Sequence, residues 1–316
     1  MGTPEFAVAT LDAIHRGPHS VVAVVTVPDK PAGRGKKLRA SAVKDYALSN
    51  ELPLLQPSKM KDLDFVEKLK SYNADLFVVV AFRMLPEIVW AIPPLGTFNL
   101  HASLLPQYRG AAPINHAIIN GEKQSGVTTF FIDKKIDTGK IIMQKAVEIT
   151  EDDHAGELHD KLMVVGAELV AETLNKIATD SVKEIPQEAL ISNETALKAA
   201  PKIYKEDCLI NWQKPIDEIH NLIRGLSPYP AAFTQIKTEE EKVLKLKIFS
   251  SHIYSRSKNP QKQPEILSDG EQYLRVRTAH GVIEIDHLQL EGKRKMSTKD
   301  FLNGFRKIKA SVLLSK

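Results

Sequence analysis

At 316 residues, with 43% hydrophobic and 26% charged side chains and a formal net charge of +4, the chain has the makings of a globular protein of two domains. A single cysteine, Cys208, excludes an intramolecular disulfide and fits a reducing compartment, so the expected location is the cytoplasm. No run of eighteen apolar residues and no basic, apolar leader can be read, so no membrane partner is expected.

The charge is unevenly spread. Residues 201–316 carry 21 Lys and Arg against 14 Asp and Glu, while residues 1–200 carry 22 against 25. A basic C-terminal third on a near-neutral body suits a polyanion such as RNA, and equally a solvated lysine-rich surface.

The chain opens on Met1-Gly2-Thr3-Pro4, which reads as the turn after a first strand, yet no strand precedes it. Either the domain starts unusually or the chain is short by one strand. Helical patterns follow over Phe6–His15, Ala42–Asn50 and Leu63–Ser71. Between them, Ser20–Val27 and Ala74–Phe82 are valine-rich apolar runs of the kind buried on both faces of a parallel sheet. The alternation predicts an open α/β sheet. Pro31-Ala-Gly-Arg-Gly-Lys-Lys37 is short and basic, suited to gripping phosphate or to no fixed structure.

Asn99–Ala102 reads as a strand, followed by a helix near Ile114–Ile119, strands over Val127–Ile132 and Lys140–Ile149, and one long helix over Asp153–Lys176. Periodicity fades over Ala178–Ala200, the expected linker. Beyond it come a short helix at Pro215–Leu226 and alternating runs at Ala232–Lys237, Val243–Ile253, Tyr273–Thr278 and Val282–Leu290. These predict a small antiparallel β-barrel closed by a Ser297-capped helix.

Three residues carry candidate chemistry. Side chains alternate along a strand, so Asn99 and His101 share a face. An amide there can donate to a developing oxyanion, and an imidazole can exchange a proton near neutral pH. Asp137, in the turn-like Ile-Asp-Thr-Gly of 136–139, can orient the imidazole and favour its cation. Each alone has a plainer reading: a strand-end amide, a structural histidine and a turn aspartate. No serine or cysteine stands out as a nucleophile, so the trio suits direct acyl-type transfer between two bound substrates. Absence of Cys pairs and of a His-Glu-x-x-His pattern predicts no metal site.

With these residues, the chain resembles the methionyl-tRNA formyltransferases, a branch of the folate-dependent formyltransferases. Asn99-x-His101 with Ser103-Leu104-Leu105-Pro106 and a downstream Asp137 mark the folate enzymes. Arg109-Gly-Ala-Ala-Pro113 matches as well, and Pro31–Lys37 with Asn211-Trp212 and Ser227-Pro-Tyr-Pro-Ala231 narrow the likeness to the tRNA branch. The resemblance covers nearly the whole chain. It implies a Rossmann-like catalytic domain over 1–180, a linker over 181–203 and an OB-like barrel over 204–316 that binds tRNA. It implies formyl transfer from 10-formyltetrahydrofolate to the α-amino group of methionyl initiator tRNA by a monomer. By the same resemblance Asn99, His101 and Asp137 are catalytic, Ser103, Leu104, Leu105 and Pro106 border the folate, and Arg34, Lys36 and Lys37 meet the tRNA. Phe82-Arg83-Met84-Leu85-Pro86 departs from the pattern, placing a bulky charge where a Tyr-Gly-like pair is expected. A formyltransferase acting on a small amine and a non-catalytic RNA-binding protein are the competing readings.

Overall fold

The computed structural model describes residues 1–32, 37–191, 196–237, 241–257, 264–305, 308 and 312–314. They fall into two units, one of residues 1–110, 125–148 and 159–199, the other of 111–124, 149–158 and 200–316. Among the described residues no helix is long and apolar enough to cross a membrane.

In chain order the first part of the protein runs α1 (Glu5–His15), β1 (Val24–Val25), α2 (Ala42–Ser49), β2 (Leu54–Leu55), α3 (Leu63–Lys70), β3 (Phe77–Val80) and β4 (Thr97–His101). It continues with α4 (Pro113–Ile119), β5 (Gln124–Phe131), β6 (Ile141–Glu148) and α5 (Ala155–Ala178). Helix α2 starts where the Ser41 hydroxyl accepts from the Lys44 amide, and α3 starts where Asp62 accepts from the amides of Asp64 and Phe65. β1 pairs with β2 and β3 with β4, both in parallel, whereas β5 runs antiparallel to β4 and β6 lies beyond it. Phe77 and Val79 join Val25, Phe65, Val66 and Leu69 in one buried cluster, the core that the valine-rich runs foretell.

Met1 and Gly2 connect the two halves of this sheet. The Gly2 amide donates to the Val25 carbonyl at 3.1 Å, and the Val80 amide donates to the Met1 carbonyl at 2.9 Å. Two residues therefore stand where a whole strand would fit between β1 and β3. A side chain is excluded at Gly2, because a Cβ would lie 2.5 Å from that of Ala7 and 2.8 Å from the Val80 carbonyl oxygen. Alongside, a groove of about 440 Å³ runs between Val21–Ala23 and Leu76–Val78. The strand expected over Ser20–Val27 contracts to Val24–Val25, the stretch that pairs with β2. The Met1 nitrogen donates to the Val78 carbonyl at 2.7 Å.

The second unit is a curled antiparallel sheet packed on a helix. Besides α4 it contains helices α6 (Ile216–Leu226) and α7 (Thr298–Gly304). Its strands are β7 (Ala232–Lys237), β8 (Val243–Arg256), β9 (Glu265–Ser268), β10 (Leu274–Thr278), β11 (Gly281–Leu290) and β12 (Val312–Leu314), ordered β9-β10-β11-β8-β7-β12. Register shifts between β8 and β11 near Ser250 and Ser255 mark bulges, which bend a long strand into a barrel wall. Ile216, Ile219, Ile223 and Leu226 form the apolar stripe of α6 and are buried with Trp212, whose indole N–H donates to Thr234 Oγ1 at 3.0 Å. The Ser297 hydroxyl accepts from the Asp300 amide and caps α7, as expected. Strands β2, β9 and β12 escape the sequence reading; each is two to four residues long, too short for a periodic signal.

The groove beside Met1 predicts that an extended, β-branched segment of about five residues fused ahead of Met1 pairs with both walls. Calorimetry of such a fusion is expected to show Tm raised by ~5 °C or more. An unchanged or lower Tm would contradict the strand-shaped reading of the groove.

Candidate active site

Strand β4 presents its two faces differently. Phe98 and Leu100 are buried in the core, while Asn99 and His101 point to the other side, Asn99 half-buried and His101 only 6% exposed. In the ladder Asn99 pairs with Val79 of β3 and Phe130 of β5, and His101 pairs with Thr128. The Phe130 ring meets the imidazole edge-on, with centroids 6.5 Å apart.

Nε2 of His101 lies 2.9 Å from the Tyr108 carbonyl oxygen. A carbonyl can only accept, so Nε2 carries the hydrogen. The neutral ring is therefore the Nε2–H tautomer, and its free lone pair is on Nδ1. Nδ1 faces Oδ2 of Asp137 at 3.9 Å, too far for a hydrogen bond. Proton exchange by His101 is thus confined to Nδ1.

Asp137 sits in the loop between β5 and β6 with φ of +55°, a left-handed conformation that Asp tolerates better than most residues. Its Oδ2 accepts the Gly110 amide at 2.9 Å. The loop is pressed on β5, since a Cβ at Gly139 would come within 1.7 Å of the Phe131 carbonyl oxygen. The structure thus sets Asn99 and His101 on one face of β4 and places the Asp137 carboxylate 3.9 Å from His101. Gln187, fully buried in a one-turn helix of the expected linker, was not anticipated: it donates to the carbonyls of Asp137 and Gly139 and accepts from Arg109.

Ser103, Leu105 and Pro106 are buried, and only Leu104 of this quartet is partly exposed. The Ser103 hydroxyl donates to the Gln107 carbonyl at 2.6 Å. Thr128 Oγ1 donates to the Ser103 carbonyl at 2.6 Å and accepts the Leu105 amide at 3.1 Å. The turn is thus held to β5 by its own polar atoms, and the face it offers a ligand is Leu104 and backbone. Arg83 hydrogen-bonds the carbonyls of Pro57 and Ser58 rather than the Asn99–His101 face.

Arg34 and Lys36 lie outside the described residues. Lys37 opens the second strand of a short hairpin, Lys30–Ala32 with Lys37–Arg39. Next to this hairpin Asp29 bonds to Lys44 at 2.6 Å and to Gln56 at 3.0 Å, and these partners hold its carboxyl below the usual range.

The second unit has a cleft of about 450 Å³ lined by Lys202, Lys205, Lys245, Lys247, Tyr204 and Tyr229. Burial, then the neighbouring Lys247 and Lys205, push the Lys245 pKa down. Such a cluster gains from an anion, and Tyr229, 81% exposed, offers a flat ring beside it. The sequence showed the basic surplus but not that lysines forty residues apart share one cleft. Among the described residues no group of three or more His, Cys, Asp or Glu could hold a metal ion.

An amide and an imidazole on one face of a strand inside an α/β sheet, with a carboxylate 3.9 Å from the imidazole, are groups that suit acyl-type transfer without a covalent nucleophile. The formyl transferase family matches residues 1–174, and the formyl transferase C-terminal domain matches residues 202–306. The chain is 53% identical over 310 residues to the methionyl-tRNA formyltransferase of Azobacteroides pseudotrichonymphae, covering 96% of this chain and 94% of that protein. It is 51% identical over 308 residues to the methionyl-tRNA formyltransferase of Bacteroides thetaiotaomicron, covering 97% and 94%. The fold matches the N-formyltransferase of Helicobacter canadensis, solved with folinic acid and dTDP-3-aminofucose, at a TM-score of 0.61, 23% identity and coverage of 93% and 97%. The chain belongs to the methionyl-tRNA formyltransferase family.

The hydrogen bond to Tyr108 predicts that imidazole ¹⁵N NMR finds neutral His101 protonated at Nε2. A resonance pattern with the hydrogen on Nδ1 would contradict the assignment of the reactive nitrogen.

Proposed function

We propose that this chain transfers the formyl group of 10-formyltetrahydrofolate to the α-amino group of methionyl initiator tRNA, preparing it for translation initiation. The observation that carries the proposal is the convergence of Asn99, His101 and Asp137 in a chain that matches the tRNA formyltransferases over nearly its whole length. Residues 1–180 carry the chemistry, 181–203 connect, and 204–316 hold tRNA, in a cytoplasmic monomer. The basic surplus of 201–316 and the lysine cleft support the polyanion partner.

In the reaction the neutral amine nitrogen bonds to the formyl carbon and the bond from that carbon to the folate nitrogen breaks. The amine loses a proton and the departing folate nitrogen gains one. Asn99 donates to the carbonyl oxygen as it takes on negative charge. Nδ1 of His101 holds or moves a proton, and Asp137 stabilises the resulting imidazolium. Leu104 and the backbone of 103–106 border the folate. Arg34, Lys36 and Lys37 contact phosphates of the acceptor stem, which adds affinity and position without reading bases.

Steady-state formylation of methionyl initiator tRNA tests these roles. Asn99→Ala and His101→Ala are each expected to lower kcat by about a hundredfold with smaller effects on KM. A near-normal kcat in either would contradict the assignment. Arg34→Ala is expected to raise KM for tRNA and leave that for folate unchanged. Activity on a small amine, with none on tRNA, would replace the acceptor named here.

A further inference from the structure

Gln187 occupies a position in the site that its sequence surroundings do not advertise. It lies in a polar stretch, directly after Pro186, in the short helix Gln187–Leu190. That segment is tethered beside the Asp137 loop by two hydrogen bonds between Ile141 and Ile185, both 2.9 Å.

The side-chain amide of Gln187 is fully buried and uses its whole bonding capacity. Its Nε2 donates to the Asp137 carbonyl at 3.0 Å and to the Gly139 carbonyl at 2.8 Å. Its Oε1 accepts from Arg109 Nε at 3.0 Å and Nη2 at 2.6 Å. Arg109 immediately precedes Gly110, whose amide donates to the Asp137 carboxylate. The contacts close a ring: Gln187 holds the backbone of Asp137 on one side and, through Arg109, the donor to the Asp137 carboxylate on the other. Asp137 also pays the strain of a positive φ, which persists only where neighbours enforce it.

We infer that Gln187 is a positioning residue for formyl transfer. It acts through Asp137, setting the distance and direction of that carboxylate from His101 Nδ1. The inference rests on the reading of Asp137 as part of the catalytic trio. Any buried amide must be hydrogen-bonded, and here every partner is either the backbone of the Asp137 loop or the arginine next to the amide that holds the Asp137 carboxylate.

A double-mutant cycle read in kcat tests this. Gln187→Ala in the otherwise unaltered protein is expected to lower kcat about tenfold or more, with KM for both substrates within about twofold. In the Asp137→Asn background the same substitution is expected to change kcat by less than about twofold, because the carboxylate it positions is gone. Gln187→Glu is the second variant, for the case in which the alanine fails to fold. It keeps the volume and the Arg109 pair while removing both donors to the loop, and the same pattern is expected. Two results would overturn the inference and are distinguishable. If Asp137→Asn itself leaves kcat unchanged, the reading of Asp137 fails and Gln187 has nothing to act through. If Asp137→Asn lowers kcat but the Gln187 substitutions leave it unchanged, or multiply with Asp137→Asn, Gln187 is structural only.

Discussion

The site depends on one hydrogen bond: His101 Nε2–H to the Tyr108 carbonyl. It spends one of the two ring nitrogens on the protein itself, so that all chemistry by this side chain must pass through Nδ1. The position of the Asp137 carboxylate matters for the same reason. It lies 3.9 Å from the ring nitrogen that the Tyr108 bond leaves over.

The sheet supplies the rest of the geometry. A parallel strand, β4, delivers Asn99 and His101 to one face, and the antiparallel β5 beside it carries the chain on to the loop that holds Asp137. Thr128 on β5 ties down the turn after His101 through the Ser103 carbonyl and the Leu105 amide, so strand register and turn conformation are fixed together. A one-residue slip of β4 would send Asn99 and His101 into the core and bring Phe98 and Leu100 to the site. Phe98 and Leu100, both buried, oppose that slip by their apolar area.

Much of this can be read in the chain itself. The two-residue spacing of Asn99 and His101 implies a shared face, and the valine runs imply a sheet buried on both sides. Ile-Asp-Thr-Gly declares a turn, although nothing in it declares an imidazole nearby. What stays hidden depends on contacts distant in sequence. Gln187 sits in an aperiodic stretch whose role appears only when it is folded onto residues 109 and 137–139. Tyr108 acts through its carbonyl, which no side-chain pattern reports. The lysine cleft joins 202 and 205 to 245 and 247, a neighbourhood set by barrel register. Ser20–Val27 is a continuous apolar run, yet only the stretch that pairs with β2 becomes strand, because pairing and not composition decides where a strand ends.

In the proposed mechanism Asp137 acts on the chemical step through the His101 nitrogen it faces. Single-turnover formyl transfer to methionyl initiator tRNA, with enzyme and 10-formyltetrahydrofolate saturating, measures that step without product release. Asp137→Asn preserves shape and removes the charge, and its transfer rate is predicted to fall by about a hundredfold or more with tRNA affinity unchanged. A rate within about threefold of the unaltered protein would contradict the claim and leave His101 to act without it.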